Sequence, residues 1–230
     1  MVNILVNTWQ VVKKAPTLTA NVLHVWYFPE SESHINSTDL SVCSSYEQVK
    51  AAKLYSSTAR LRSLYNWAYR RQILSSYLGV TPDKIQFQRG AYGKPYIRWP
   101  PSALQFNMSH SGSLCLLAVY LNVEIGLDLE KIQPRSNIIN IARRVFTPQI
   151  NTELMKSSED QQMAIFYYHW TRLEATVKAN GSLLFANLNS LQEPSMSICN
   201  FIPAMGFQGC IAARTPLPSS KNWRYLMLIP

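Results

Sequence analysis

Two carboxylates on one short segment, residues 125–130, are the side chains best placed to do chemistry. Leu127 and Leu129 alternate there with Asp128 and Glu130. In a β-strand this spacing puts both carboxylates on one face, with Cβ atoms roughly 6–7 Å apart. Like charges that close repel each other unless a cation lies between them or one is protonated. Oxygen donors favour a hard ion, Mg²⁺ before Zn²⁺; the alternative is an edge strand with two solvated acids.

A second pair of ionisable residues, Glu174 and Lys178, lies one helical turn apart. Residues 166–181 are predicted to form a helix that ends at Gly181. The predicted core stripe of this helix comprises Phe166, Trp170, Leu173 and Val177. Glu174 and Lys178 lie on the neighbouring stripe. They form either an ordinary helical ion pair, or a third acid for the cation and a cationic partner for an anionic ligand.

Two polar segments upstream could contact an anion. Residues 106–112 read Phe-Asn-Met-Ser-His-Ser-Gly and precede a predicted strand. Ser109 and His110 in this segment suit oxyanion contacts; the alternative is a structural histidine. Residues 92–96, Tyr-Gly-Lys-Pro-Tyr, predict a turn that presents Lys94 beside a rigid proline.

These motifs, taken in order, resemble those of the Sfp-type 4′-phosphopantetheinyl transferases. They are Gly-Lys-Pro at 93–95, Phe-Asn-Met-Ser-His-Ser at 106–111, Ile-Gly-Leu-Asp-Leu-Glu at 125–130 and Trp-Thr-Arg-Leu-Glu-Ala-Thr-Val-Lys at 170–178. The resemblance extends from Lys50 to Gly181, and residues 206–213 resemble the C-terminal hairpin of the family. Four motifs in sequence are specific, where one alone would be weak.

The resemblance implies an α+β fold in which two similar α/β halves form an intramolecular pseudo-dimer, with the active site in the cleft between them. We expect residues 1–122 to form the N-terminal half, which carries the contacts with the coenzyme A nucleotide. Residues 123–230 would form the C-terminal half, which carries the metal-binding acids and the catalytic helix.

Apolar patterning and turn residues give a coarse set of elements. A first strand is predicted at residues 21–28 and a helix at 57–78, ended by Gly79. Several antiparallel strands are predicted after residue 187. The arginines that supply positive charge to the helix are Arg60, Arg62, Arg70 and Arg71.

The activity that the resemblance implies is transfer of 4′-phosphopantetheine from coenzyme A to a serine of an apo carrier protein, releasing 3′,5′-ADP. Asp128, Glu130 and Glu174 would hold Mg²⁺, with Mn²⁺ as a substitute. Glu174 would be the general base, directly or through a metal-bound water, and Lys178 would stabilise the departing charge. The predicted catalytic residues are Asp128, Glu174 and Lys178.

The resemblance also assigns contacts with coenzyme A. Arg62 and Ser63 would lie near the nucleotide phosphates, and the Gly-Lys-Pro turn near the adenine end. Lys50 matches a basic position of the family more loosely, and its alternative is a solvated basic face. The predicted set is Lys50, Arg62, Ser63, Gly93, Lys94, Pro95, Ser109, His110 and Lys178.

Two positions depart from the family pattern. The family usually has a lysine immediately before the glutamate of its helical motif, where this chain has Leu173. Arg172 is adjacent but about 100° away around the helix, so it is no automatic substitute. Many members also carry a glutamate in the turn that corresponds to residues 146–150, which contains none and ends at Ile150. We expect activity with altered affinity for cofactor or metal; the alternative is a catalytically impaired relative that still binds coenzyme A.

The charge of the chain predicts an anionic partner. Its 22 basic and 13 acidic residues give a net charge of +9. A basic nucleic-acid-binding domain is the alternative of a different class, but the basic residues form no dense run and the acidic pair would be unexplained. Coenzyme A and an acidic acyl carrier protein fit the charge. The resemblance implies carriers from fatty-acid, polyketide and nonribosomal peptide synthesis.

Other features of the sequence bear on compartment and assembly. The chain has no run of 18 apolar residues that would span a membrane and no signal-peptide pattern at its start. The cysteines lack CxxC spacing, which favours a reducing cytoplasm. We expect a monomer, because one chain carries both halves of the site.

Overall fold

The computed structural model describes residues 3–29, 34–35, 38–182 and 196–228. The strands are β1 (Ile4–Leu5), β2 (Gln10–Val12), β3 (Leu23–Pro29), β4 (Gln86–Arg89), β5 (Pro95–Trp99), β6 (Leu104–Ser111), β7 (Leu114–Leu121), β8 (Ile125–Lys131), β9 (Ser197–Ile202), β10 (Phe207–Ala213) and β11 (Trp223–Leu228). The helices are α1 (Ser45–Ala52), α2 (Ser57–Leu78), α3 (Ile138–Val145), α4 (Pro148–Lys156) and α5 (Glu159–Asn180). The chain is α+β with two sheet-containing halves, as the sequence predicted.

A five-stranded sheet in the order β2-β11-β3-β7-β6 carries the first half. Strands β3, β7 and β6 pair antiparallel, and α2 covers one face. The core beneath α2 is aromatic, with Phe28 stacked on Tyr69 at a ring-centroid distance of 4.8 Å. The predicted end of α2 is confirmed, since Gly79 terminates it with φ +67°.

A four-stranded sheet in the order β1-β9-β10-β8 carries the second half, with α5 packed on its outer face. A Cβ placed on Gly126 in β8 would overlap the carbonyl oxygen of Ala175 and the backbone nitrogen of Ala179. The missing side chain therefore lets α5 lie directly against β8. The helix begins earlier than residue 166, at Glu159, and ends before Gly181 as predicted.

The inner faces of the two sheets share one apolar core. Leu23 and Val25 of β3 pack there with Leu127 of β8, Phe201 of β9 and Ile211 of β10. Because side chains alternate along a strand, the residues between the leucines of β8 face α5 instead. This arrangement confirms the predicted alternation of β8 and aims its acids outward from the shared core.

The strands nearest the two chain ends each lie in the sheet of the other half. The two-residue strand β1 pairs parallel with β9, while β11 lies between β2 and β3 and is parallel to both. The prediction of antiparallel strands after residue 187 is right for β9 and β10 but wrong for β11. Residues 187–195 of that region lie outside the described residues. The strand predicted as the first is the third, because the short β1 and β2 precede it.

Helices α3 and α4 form a small separate core against the start of α5. Ile138, Leu154 and Phe166 are buried in it. Thr147 caps α4 by accepting a hydrogen bond from the backbone N–H of Ile150, and Pro148 occupies the first turn. No helix in the described ranges combines the length and apolar character needed to cross a bilayer.

Candidate active site

The acids of β8 lie at the base of a cleft beside α5. Asp128 is buried, and Glu130 is half-buried. Burial raises the pKa of the Asp128 carboxyl, and the Lys178 ammonium opposes that rise. The Oδ2 atom of Asp128 is buried and has no hydrogen-bond partner among the described residues, so this carboxylate is incompletely satisfied.

Helix α5 brings Glu174 and Lys178 to the same place. Lys178 Nζ donates to Asp128 Oδ1 at 2.6 Å and to Ser109 Oγ at 3.2 Å. Lys178 therefore forms its ion pair with Asp128 of β8. The sequence had offered, as an alternative, an ordinary helical pair with Glu174. The close packing at Gly126 sets this distance, because it fixes how near α5 approaches β8.

These groups surround a space that we call the acid cavity, of about 400 Å³. Its lining comprises Met108, Ser109, His110, Asp128, Leu129, Glu130, Glu174 and Lys178. Burial and then the Asp128 charge raise the pKa of Glu174. The same two causes raise the pKa of Glu130, against opposing hydrogen bonds from Ser111 and Trp170. Three carboxylates share one lysine here, which leaves an excess of negative charge.

The donor set of the acid cavity suits a hard divalent cation. Three carboxylates line one small space, the pKa of each is raised by burial, and Asp128 Oδ2 has an unused acceptor. A bound cation would offset the repulsion and fill that acceptor. Within the described ranges, however, no three acidic, histidine or cysteine side chains already stand together as a formed metal site. Since Lys178 occupies Asp128 Oδ1, cation binding would have to accommodate that lysine.

Strand β6 faces β8 through side chains that bond its backbone. The backbone N–H groups of Leu127, Leu129 and Lys131 donate to Asn107 Oδ1, Ser109 Oγ and Ser111 Oγ at 2.9, 3.2 and 3.0 Å. The two serine hydroxyls in turn donate to Asp128 Oδ1 at 3.1 Å and Glu130 Oε2 at 3.0 Å. We call these contacts the seam. The seam joins the edge strands of the two sheets and holds both acids of β8.

The motif at residues 106–112 thus differs from the prediction in its position. It precedes β7, the strand predicted to follow it, but it forms strand β6 and the turn after it, where the sequence indicated only the entrance to a strand. Ser109 lines the acid cavity, and its hydroxyl donates to Asp128 while accepting from Leu129 and Lys178. His110 points to the other side of the strand and is exposed. The phosphate contacts expected of Ser109 and His110 remain predictions.

A larger space of about 750 Å³, the arginine cavity, lies on the other side of β6. Arg62, Arg70 and Arg89 line it, together with Ser63 and Pro95. Met108 and His110 line both cavities, so the two spaces meet at β6. The structure therefore brings four predicted cofactor residues, Arg62, Ser63, Pro95 and His110, to one cavity, which shares lining residues with the acid cavity.

Arg70 differs from the prediction, which counted it among the charged residues of α2. It is buried, and its guanidinium lies 3.7 Å from the ring centroid of Trp67 and 5.1 Å from that of Phe87. Burial lowers the pKa of Arg70 to about 9. Its Nε has no hydrogen-bond partner within the part of the chain that the structure describes. Arg71 is also buried, in an ion pair with Glu47 at 2.9 Å.

The remaining predicted cofactor residues lie outside the arginine cavity. Lys94 Nζ donates to Glu124 at 3.1 Å and lines a neighbouring space with Pro95. Gly93 has φ +85° in the predicted turn. Lys50 is exposed on α1, with Nζ 5.8 Å from the ring centroid of Tyr46. Their contacts with coenzyme A remain predictions.

The two departures from the family pattern are accommodated by packing. Leu173 is buried on α5, as its position in the predicted stripe required. Arg172 Nη1 donates to Asn200 Oδ1 at 2.9 Å and its guanidinium lies over Tyr168, so this side chain is engaged away from the acid cavity. Ile150 packs against the small core of α3, α4 and α5.

Several residues of the site were missed from the sequence. Asn107 and Ser111 flank Ser109 at a period of two, and this polar alternation on one strand face was a usable signal. Arg70 gave no comparable signal, because an arginine in a helix most often reaches solvent. Only the fold shows that three aromatic rings, those of Trp67, Phe87 and Phe106, surround it.

Comparison with known proteins bears on what this site does. A family model described as 4′-phosphopantetheinyl transferase superfamily matches residues 124–209, and another, described as 4′-phosphopantetheinyl transferase, N-terminal, matches residues 29–122. The 4′-phosphopantetheinyl transferase HetI of Nostoc sp. is 33% identical over 230 residues, covering 97% of this chain and 90% of that protein. Sfp of Bacillus subtilis is 31% identical over 155 residues, 67% of each chain. AcpT of Escherichia coli K12 is 35% identical over 134 residues, 57% of this chain and 67% of that protein.

Proposed function

This chain belongs to the 4′-phosphopantetheinyl transferase superfamily, and we propose that it moves the 4′-phosphopantetheine group of coenzyme A onto a serine of an apo carrier protein. The observation that carries the proposal is the junction of two cavities at β6. The arginine cavity is cationic and large, and the acid cavity beside it holds three carboxylates and a lysine. A cofactor with phosphates at one end and a reacting pyrophosphate further along suits that order of charges.

Coenzyme A would lie with its nucleotide in the arginine cavity. Arg62, Arg70 and Arg89 supply positive charge for the phosphates, and Trp67 offers an aromatic surface. Ser63, Pro95 and His110 complete the contacts, while Lys50, Gly93 and Lys94 would act from the rim. The pyrophosphate would then extend past His110 toward the acids.

The reaction forms one P–O bond and breaks another. The hydroxyl oxygen of the carrier serine attacks the β-phosphorus of coenzyme A, and the bond to the bridging oxygen breaks, so that its electron pair leaves with 3′,5′-ADP. Glu174 accepts the serine proton, directly or through a water. Burial and the Asp128 charge raise the pKa of the free Glu174 carboxyl, whereas a bound cation would lower it, which favours the route through a water. Lys178 stabilises the negative charge on the departing group.

Asp128, Glu130 and Glu174 would hold Mg²⁺, or Mn²⁺ in its place. When bound, the ion supplies charge neutralisation to the pyrophosphate. The residues of the chain keep their own tasks. Asp128 orients Lys178 through the 2.6 Å ion pair, and β6 holds both acids of β8 through the seam.

The partners we propose are an apo acyl carrier protein or the carrier domains of polyketide and nonribosomal peptide synthases. The net charge of +9 favours an acidic partner. Cys43, Cys115, Cys199 and Cys210 are free, which supports a cytoplasmic location. A monomer with halves at residues 1–122 and 123–230 fits a site whose groups all come from one chain.

The proposal is tested by the intact mass of an apo acyl carrier protein after incubation with the protein, coenzyme A and Mg²⁺. We expect a gain of one phosphopantetheine mass on the carrier, lost with Glu174→Gln and with a chelator. An unchanged mass on several carriers, with coenzyme A still bound, would show a relative that binds the cofactor and does not transfer it. Unimpaired transfer in the presence of the chelator would refute the role of the acids in metal binding but not the transfer activity.

A further inference from the structure

The seam is more than a structural contact, because each of its serines touches a site carboxylate as well as the backbone of β8. The side chain of Asn107 accepts from the N–H of Leu127 at 2.9 Å and bonds no carboxylate among the described residues. Ser109 and Ser111 instead bond a backbone N–H and the carboxylate of the preceding residue, Asp128 and Glu130 respectively. Each serine therefore links the position of a strand to the orientation of an acid.

The direction of the Ser111 hydroxyl follows from its chemistry. A hydroxyl has one proton to donate and two lone pairs to accept with. The N–H of Lys131 donates to Ser111 Oγ at 3.0 Å, so the single proton of Ser111 is available for Glu130 Oε2, also at 3.0 Å. Glu130 is thus held from β6, through the hydroxyl of Ser111.

This restraint acts against an electrostatic penalty. Glu130 shares the acid cavity with Asp128 and Glu174, and no lysine among the described residues forms an ion pair with it, because Lys178 pairs with Asp128. A charged carboxylate in this setting would be driven to turn away from its neighbours toward solvent. Hydrogen bonds to the charged form oppose that movement and keep the oxygens facing the cavity.

We propose that Ser111 is a positioning residue, whose hydroxyl fixes the Glu130 carboxylate in the orientation that binds the divalent cation. The inference rests on the proposed function. Ser109 does the same for Asp128, but it also bonds Lys178. Ser111 contacts Glu130 but not Lys178. A substitution at Ser111 therefore tests the orientation of the Glu130 carboxylate without disturbing the contacts of the lysine.

The test is Mn²⁺ affinity, measured from the free-ion electron paramagnetic resonance signal with and without coenzyme A. Ser111→Ala should weaken Mn²⁺ binding roughly tenfold, the effect expected when a hydrogen-bond partner of a metal ligand is removed. The Mg²⁺ concentration for half-maximal transfer should rise by the same factor, with little change in the rate at saturating Mg²⁺. Ser111→Thr keeps the hydroxyl and should restore both values.

The matched control is Ser113→Ala, an exposed serine in the turn two residues on. Ser111→Ala also removes the acceptor of the Lys131 N–H, so a lower unfolding temperature alone would indicate only a structural role. The inference is overturned if Ser111→Ala and Ser113→Ala bind Mn²⁺ equally while the wild type transfers phosphopantetheine. A wild type that neither transfers nor binds Mn²⁺ would overturn the proposed function, and this inference with it.

Discussion

At Glu174 the protein holds a carboxyl group whose charged form is opposed by its surroundings. Burial raises its pKa, the charge of Asp128 raises it further, and Lys178 only partly compensates. Burial likewise raises the pKa of the Asp128 and Glu130 carboxyls. Such a cluster of carboxylates suits a bound cation or a transition state, but in their absence it destabilises the folded protein. Removing one carboxylate should therefore lower activity and raise stability.

The variant Glu174→Gln should therefore lose transfer and gain stability. We expect the transfer rate to fall roughly 10²–10⁴-fold, the contribution of a general base. Without divalent ions the unfolding temperature should rise by roughly 1–3 °C, because one repelling charge is removed. Glu159→Gln, at the exposed start of the same helix, is the control and should retain transfer. A Glu174→Gln protein of wild-type activity would contradict the role given to this residue.

The stability gain of Glu174→Gln should also depend on pH. A carboxyl whose pKa is higher in the folded than in the unfolded protein favours folding below its unfolded pKa, and this contribution is lost as pH rises through the folded value. The wild type should thus match the variant in acid, where Glu174 is protonated, and fall behind it as pH rises above the ordinary glutamate range. Thermal unfolding of both proteins with a chelator, followed from mildly acidic to neutral pH, measures this difference. A constant difference across that range would contradict the prediction.

Arg70 should contribute to cofactor binding through its buried charge. Arg70→Met keeps the volume and the contacts with Trp67 and Phe87 but removes the guanidinium. We expect the Kd for coenzyme A to rise by about tenfold or more, the value of a charge-assisted hydrogen bond. Isothermal titration measures it, and Arg60→Met, on the exposed side of α2, serves as control. Equal affinities in the two variants would remove Arg70 from the site.

At the scale of elements, the approach of α5 to β8 sets the geometry of the acid cavity. Gly126 permits it, since any side chain there would overlap the backbone of α5 at Ala175 and Ala179. The helix cannot move away without separating Lys178 from Asp128. One strand position without a side chain therefore controls the distance between residues that are far apart in the chain.

Gly126→Ala should consequently damage both stability and transfer. Overpacking of this kind costs about 1–3 kcal/mol or more, because a rigid backbone must shift. Gly90→Ala is the control, since a Cβ there meets only the carbonyl of Lys94 at 3.8 Å. Denaturant unfolding and transfer assays of both variants provide the measurement. Wild-type stability in Gly126→Ala would mean that α5 can give way without cost.

Elements and acids could be predicted from the sequence where the signal is local. The alternation of β8, the glycine that ends α5 and the proline that starts α4 each lie within a few residues of the feature they specify. The burial of Arg70 and the insertion of β11 could not be predicted in this way, because each depends on partners that are distant in sequence. The seam falls between these cases. Its polar alternation is visible in β6, but the backbone it bonds is identified only by the fold.

At the scale of the whole molecule, the two halves are interlocked by their terminal strands. Strand β11 lies between β2 and β3, and Tyr69 of α2 donates to the carbonyl of Leu228 at 2.6 Å. Residues 1–122 alone would leave β2 detached, β3 with an open edge, and the core without Leu226. The halves proposed from the sequence are therefore not expected to fold separately.

We predict a single cooperative unfolding transition for the full chain and none for the fragment of residues 1–122. Differential scanning calorimetry of both gives the comparison. In the full chain, Leu226→Ala should shift this single transition to lower temperature. The free energy of unfolding should fall by about 2–5 kcal/mol, as expected for a buried leucine. Two resolved transitions in the full chain, or a fragment that melts cooperatively by itself, would show that the halves are independent.

The position of β11 also has a consequence for the protein during its synthesis. The ribosome synthesises β3 early and β11 only after the whole of the chain between them. At ordinary elongation rates this delay is on the order of 10 s or more. Throughout that interval the edge of β3 that will receive β11 is unpaired, and an open strand edge recruits other strands. The nascent protein therefore needs protection from its neighbours, and its yield in cells should depend on chaperones that bind growing chains.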